Sequence, residues 1–270
     1  MIKSILITGG AGFIGSHLAE RIFLEFRDSK IILYDKITYA ANKQYLANII
    51  KKKNVKFLKG DLLNFKKLES NLKNVDLAIN VAAESHVDNS FGNSLIFTKT
   101  NTLGTHYFLE ACRKQKVNKI LHVSTDEVYG ENLKKPFTEK QFLNPTNPYS
   151  ASKAGADMIV NAYKKSYNLN IATVRANNIY GTRQFPEKLI SKTIYSFLTK
   201  KKMTIHGNGN NYRFYLSVED FCDGVIKIIK IGKSNEIYNI ASNNCYNVKR
   251  VVMMICDYLN INFKDNIKFV

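Results

Sequence analysis

The stretch IKSILITGGAGFIGSHLAERIFLEFRDSKIILYD, Ile2–Asp35, decides the fold. Its first apolar run, Ile2 to Thr8, reads as a strand, and Ile14 to Phe26 repeats apolar residues at helical spacing. A second strand pattern, Lys30 to Tyr34, follows. Between the first strand and the helix stand Gly9, Gly10, Gly12 and Gly15, which fit both G-x-G-x-x-G and G-x-x-G-x-x-G. Such a turn lets the backbone come close to a pyrophosphate and aims the free N–H groups of a helix N-terminus at that anion. Asp35 lies twenty residues after Gly15, at the end of the second strand. A carboxylate there accepts from ribose hydroxyls and repels a 2′-phosphate, which favours NAD over NADP; Lys36 beside it blurs that preference without reversing it.

The same alternation continues. Further strands are expected at Val55 to Leu58, Leu77 to Val81, Ile120 to Ser124 and Ile171 to Arg175, with helices over Ile96 to Gln115 and Ser152 to Tyr167. Strands separated by helix-length crossovers imply a Rossmann-type, doubly wound parallel α/β sheet. After Arg175 the pattern loosens into short strands, a turn cluster at Gly207 to Asn211 and helices at Glu219 to Ile231 and Val248 to Leu259. We therefore expect an NAD-binding domain over residues 1–175 and a smaller C-terminal substrate-binding segment over 176–270.

Composition narrows the function. The net charge of +18 suggests a polyanionic partner, yet the excess is mostly lysine spread along the chain, with no Arg-rich recognition helix or aromatic stacking motif. Nucleic-acid binding is not expected, whereas the field would attract a phosphorylated substrate. Cys112, Cys222, Cys245 and Cys256 show no C-x-x-C spacing, so free thiols in a reducing compartment are expected, with no metal site. No apolar stretch approaches the ~20 residues of a membrane span. The N-terminus runs straight into a strand without a signal-peptide pattern, and a cytoplasmic location is expected.

Thr125, Asp126 and Glu127 close the strand at Ile120 to Ser124. Taken alone they read equally well as a solvated strand end and as an acid/base pair, since adjacent carboxylates can serve both roles only if their environments separate their pKa values. Tyr149 and Lys153, four residues apart on one helix, share a face. The lysine's charge is expected to lower the phenol's pKa and make it a usable base. Asp61, in Lys59 to Leu62, reads either as an adenine contact or as a helix N-cap.

These residues fall within strings that resemble a known family. ITGGAGFIGSH (Ile7–His17), YDKITYAAN (Tyr34–Asn42), AAESHVDNSF (Ala82–Phe91), VSTDEVYGE (Val123–Glu131), PYSASKAGAD (Pro148–Asp157), NNIYGTRQFPEKLI (Asn177–Ile190) and IHGNGNNYR (Ile205–Arg213) are similar to the NDP-glucose 4,6-dehydratases of deoxysugar and rhamnose synthesis, in the extended short-chain dehydrogenase/reductase superfamily. The resemblance implies a lyase that stores the glucose C4 hydride on NAD and returns it to C6. Tyr149 would take the C4 hydroxyl proton, Thr125 hold the C4 oxygen, Glu127 remove the C5 proton, Asp126 protonate the departing C6 hydroxyl and Lys153 support Tyr149 and the nicotinamide ribose. It also implies a cofactor site of Gly9, Gly12, Phe13, Ile14, Gly15, Asp35, Lys36, Thr38, Asp61, Leu62, Ala82, Ala83, Thr100, Tyr149 and Lys153. The nucleotide-sugar substrate, UDP- or dTDP-glucose, would meet Ser85, Thr125, Asn178, Lys188, Leu189, Arg213 and Asn247, with Arg213 offered to the diphosphate.

A homodimer through the Ile96 to Gln115 and Ser152 to Tyr167 helices is expected on the same ground. Family members continue beyond the position of Val270 with an Arg-rich substrate segment and a final helix, so the substrate segment is expected to be incomplete. Two alternatives stay open: an NAD-dependent NDP-sugar 4-epimerase, which has no use for Asp126 and Glu127, and a catalytically silent NAD-binding subunit.

Overall fold

The structure is a computed structural model that describes residues 2–131 and 136–270; Met1, the first residue of the expected NAD domain, lies outside the described residues. In chain order the strands are β1 (Ser4–Thr8), β2 (Lys30–Asp35), β3 (Val55–Lys59), β4 (Leu77–Asn80), β5 (Lys119–Thr125), β6 (Ile171–Ala176), β7 (Asn178–Tyr180), β8 (Met203–Ile205), β9 (Tyr212–Ser217), β10 (Ile237–Ile240), β11 (Cys245–Asn247) and β12 (Ile267–Phe269). The helices are α1 (Phe13–Glu25), α2 (Phe65–Asn71), α3 (Val87–Gly92), α4 (Ser94–Phe97), α5 (Gly104–Lys114), α6 (Pro148–Tyr167), α7 (Leu189–Leu198), α8 (Val218–Ile231), α9 (Val248–Leu259) and α10 (Phe263–Asn266).

Seven strands form one parallel sheet in the order β10-β6-β5-β4-β1-β2-β3. β4 and β6 are buried along their whole length, and β1, β2 and β5 at all but their first residue, as a sheet covered by helices on both faces requires. The strand order reverses direction between β1 and β4, the switch point at which open α/β sheets place their ligands.

The described residues divide into two units. One holds the chain up to Ala176 together with Glu219–Ile240; the other holds Asn177–Val218 and Ala241–Val270. The helix expected at Glu219 to Ile231 thus groups with the first unit rather than with the C-terminal segment. It is a crossover: α8 leads to β10, which pairs parallel to β6 and extends the main sheet. The second unit has its own core of Phe197, Met203, Ile205, Val252, Cys256 and Ile267, a three-stranded sheet β11-β9-β7 and a two-stranded sheet β12-β8.

Two helices differ from their expected extent. α6 begins at Pro148 because Asn147 caps it, accepting from Ser150 N–H at 2.8 Å while the Ser150 hydroxyl accepts from Asn147 N–H, with Pro at the first helical position. The expected Ile96 to Gln115 helix is interrupted by a π-helical stretch over Thr98–Leu103. Asn101 explains the interruption: it is fully buried and its side chain bonds both Glu84 N–H and Glu84 C=O and the Ser152 hydroxyl, contacts that hold it on the inner side of a widened turn.

Candidate active site

The glycine-rich turn assigns a distinct task to each glycine. Gly9 has φ +69°, and a Cβ there would stand 2.7 Å from the Ala82 backbone; a Cβ on Gly15 would stand 1.9 Å from the Gly9 carbonyl oxygen. Both positions serve the close passage of β1, α1 and the segment after β4. Gly12 differs, because a Cβ there would touch only the Gly9 oxygen, at 3.4 Å. It caps α1 with no side-chain hydrogen bond, leaving the N–H groups of the first turn, at Phe13 and Ile14, without an earlier carbonyl in the helix.

Asp35 is buried, its carboxylate accepting from Ala11 N–H at 2.9 Å and Ile37 N–H at 2.7 Å. Burial raises its pKa, with the backbone donors opposing. The contact to Ile37 accompanies a left-handed backbone at that residue, φ +58°, a conformation a β-branched residue adopts at a cost of about 1–3 kcal/mol. Lys36 and Asp61 form an ion pair at 2.7 Å, and Thr38 is exposed beyond them. Asp61 does not cap α2; Asn64 does, accepting from Lys67 N–H. Leu62 turns its side chain into the core with Tyr34, Leu68 and Phe108. Ala82 and Ala83 follow β4 beside Gly9, with Ser85 exposed after them, and Thr100 lies half-buried in the π-helical stretch. The open face at Gly12, the buried Asp35 carboxylate and the uncapped α1 turn, gathered at the sheet's switch point, fit a dinucleotide.

The reacting groups stand at the ends of β5 and α6. Thr125 closes β5, and Asp126 and Glu127 open a single 3₁₀ turn, Asp126–Tyr129, that Thr125 caps by accepting from Glu127 N–H at 3.2 Å. The Thr125 hydroxyl donates to the Asp126 carboxylate at 3.3 Å and stands close enough to the Tyr149 phenol to favour its ionisation. Asn147 donates to Glu127 at 3.3 Å, tying the cap of α6 to the carboxylate. Tyr149 is buried, edge-on to Phe97. Lys153, 3% exposed, donates to the Val123 carbonyl at 2.7 Å.

The electrostatics correct one expectation. Burial pushes the Tyr149 phenol up, the Glu127 carboxylate pushes it further, and the nearby Thr125 hydroxyl opposes them. Lys153 is itself drawn down to about 8 by burial, and its ammonium points at Val123 C=O. Tyr149 therefore keeps its proton across the neutral range in this conformation. A role as base requires added positive charge around it.

In the second unit, Asn178, Arg213 and Asn247 come together on one sheet: Asn178 registers with Tyr215, Arg213 with Tyr246 and Asn247 with Tyr212. Asn178 donates to the Phe214 carbonyl, and Asn247 caps α9 by accepting from Arg250 N–H at 2.7 Å. Lys188 stands at the cap position of α7 and Leu189 is its first residue. Among the described residues no metal-binding cluster occurs, and no helix is long and apolar enough to cross a membrane. Arg175, Asp157 and Tyr129, which bracket the site, went unnoticed in the sequence because their partners lie 18 to 46 residues away.

Comparison with known proteins places the chain in a family. A family model described as GDP-mannose 4,6 dehydratase matches residues 6–269. A dTDP-D-glucose 4,6-dehydratase of Dictyostelium discoideum is 48% identical over 255 residues, 90% of this chain and 59% of that protein. A trifunctional UDP-glucose 4,6-dehydratase/UDP-4-keto-6-deoxy-D-glucose 3,5-epimerase/UDP-4-keto-L-rhamnose-reductase of Arabidopsis thaliana is 44% identical over 274 residues, 99% of this chain and 41% of that protein. The chain thus spans less than two thirds of the length of both. Among solved structures, the dTDP-glucose 4,6-dehydratase of Streptomyces venezuelae with NAD bound superposes with a TM-score of 0.96 at 35% identity, covering 99% of this chain and 84% of that one.

Proposed function

The chain belongs to the family described as GDP-mannose 4,6 dehydratase, and from that premise we propose that it is an NAD-dependent NDP-glucose 4,6-dehydratase acting on UDP- or dTDP-glucose. The observation that carries this reading is the meeting of the Thr125–Glu127 turn with the start of α6, where Asn147, the helix cap two residues before Tyr149, donates to Glu127.

Bound NAD would supply reversible hydride storage, and Gly12, Phe13, Ile14, Asp35, Tyr149 and Lys153 would hold it. Tyr149 takes the proton of the sugar C4 hydroxyl, while Thr125 fixes the C4 oxygen. The C4 ketone acidifies the hydrogen on C5, which Glu127 removes. Asp126 is assigned to give a proton to the C6 hydroxyl as it leaves as water. In the second unit Asn178, Lys188, Leu189, Arg213 and Asn247 are assigned to the substrate, with Arg213 for the diphosphate. A homodimer and a cytoplasmic location belong to the same proposal.

The relatives named for both UDP- and dTDP-glucose support testing both sugars. An epimerase would leave Asp126 and Glu127 without a task. Incubation with each nucleotide sugar is expected to yield the alkali-induced absorbance of a 4-keto product. A C4 epimer without keto sugar, or retained cofactor without turnover, would reject the reading.

A further inference from the structure

A buried ion pair lies directly behind the reacting groups. Asp157 follows Lys153 by one turn of α6 and accepts from Arg175 of β6 at 2.9 Å; the two side chains are 2% and 4% exposed. Arg175 also donates to the Tyr129 hydroxyl at 2.9 Å and lies over its ring at 4.8 Å. Tyr129 ends the 3₁₀ turn that carries Asp126 and Glu127, and its hydroxyl donates onward to Asn239 of β10 at 2.8 Å. The pair therefore touches both halves of the site: the Lys153 helix through Asp157, and the carboxylate turn through Tyr129.

Stability alone is a weak account of this arrangement. Buried ion pairs are desolvated at a cost that packed apolar side chains of similar size avoid. We propose that Asp157 and Arg175 are positioning residues for the reaction: Asp157 holds Lys153 as a cation next to Tyr149, and Arg175, through the Tyr129 hydroxyl, fixes the turn bearing Asp126 and Glu127. The proposal rests on the dehydratase reading for its catalytic half and on the apo protein for its electrostatic half.

The surroundings of Asp157 are consistent with this task. His122 of β5 approaches it at 3.6 Å, beyond hydrogen-bonding range, and Arg175 faces it from β6. Lys153 and Lys164 act on it or respond to it from its own helix, and Glu139 lies with it on the wall of a cavity of about 220 Å³. Burial works against its charge, yet His122, Arg175 and Lys153 carry its pKa below the usual carboxylate range. Burial pulls Lys153 down to about 8, and Asp157 is the charge that resists. Arg175 and Lys164 line the same cavity.

Two variants test the two halves. In apo protein labelled with ¹⁵N-lysine, with Lys153→Met identifying the signal, Asp157→Asn is expected to lower the Lys153 Nζ titration midpoint by about one pH unit or more. Tyr129→Phe keeps the ion pair and the ring contact but removes the hydroxyl that ties Arg175 to the turn. It is expected to slow keto-sugar formation by about 10- to 100-fold while cofactor reduction changes little. An unmoved Lys153 midpoint in Asp157→Asn, or an equal fall of both steps in Tyr129→Phe, would overturn the proposal. If Asp157→Asn does not fold, the step ratio in Tyr129→Phe decides. If the wild type shows no turnover, the dehydratase reading fails while the Lys153 midpoint still decides the electrostatic half.

Discussion

Glu127 acts on the site in two ways at once. Its carboxylate is positioned by Asn147 and the Thr125 cap, and its charge lies near enough to raise the Tyr149 phenol. Glu127→Gln keeps the shape, removes the base and relieves the phenol of that charge. C4 oxidation should therefore persist, seen as cofactor reduction in a single turnover, while elimination falls by about 10²- to 10⁴-fold. Loss of both steps together would contradict this division of labour. The triplet, the Tyr/Lys pair and Asp35 were legible as residue types at fixed spacing. The protonation of Tyr149 was not, because it depends on burial and on carboxylates that only the fold brings near. Asp157 and Arg175 were invisible for the same reason: nothing local in Ile171–Ala176 distinguishes a buried arginine with a partner from an exposed one.

At the scale of elements, apolar runs fixed where the sheet would form, and each of the six expected strands of the first two-thirds lies within three residues of its observed bounds. The π-helical stretch escaped notice because it is set by the tertiary bonds of Asn101, and helical periodicity runs through it undisturbed. β10 escaped because its crossover helix reads like any amphipathic helix of a C-terminal segment. The helices of this region also leave apolar side chains in solvent: Leu95 is 70% exposed on α4, Leu103 39% in the π-helical stretch and Met158 53% on α6. Such side chains on helices that pack together are the kind of surface that a second copy covers. Sedimentation velocity is expected to show a dimer for the wild type and a monomer for the Leu103→Glu, Met158→Glu double variant. A wild-type monomer, or a variant that stays dimeric, would contradict that assignment.

For the molecule as a whole, the parallel sheet gathers the glycine turn, Asp35, the Thr125–Glu127 turn and the start of α6 at the C-terminal ends of its strands, all within one unit. The net charge of +18 gives the chain a field suited to a diphosphate-bearing substrate. We propose that the chain removes a hydride from one sugar carbon and returns it to another, with loss of water between. NDP-glucose carrying deuterium at C4 follows that hydride, with the product read by NMR and mass spectrometry. A 4-keto-6-deoxy sugar with the deuterium on C6 is expected. Deuterium still on C4 of an epimerised sugar, or unchanged substrate, would contradict it.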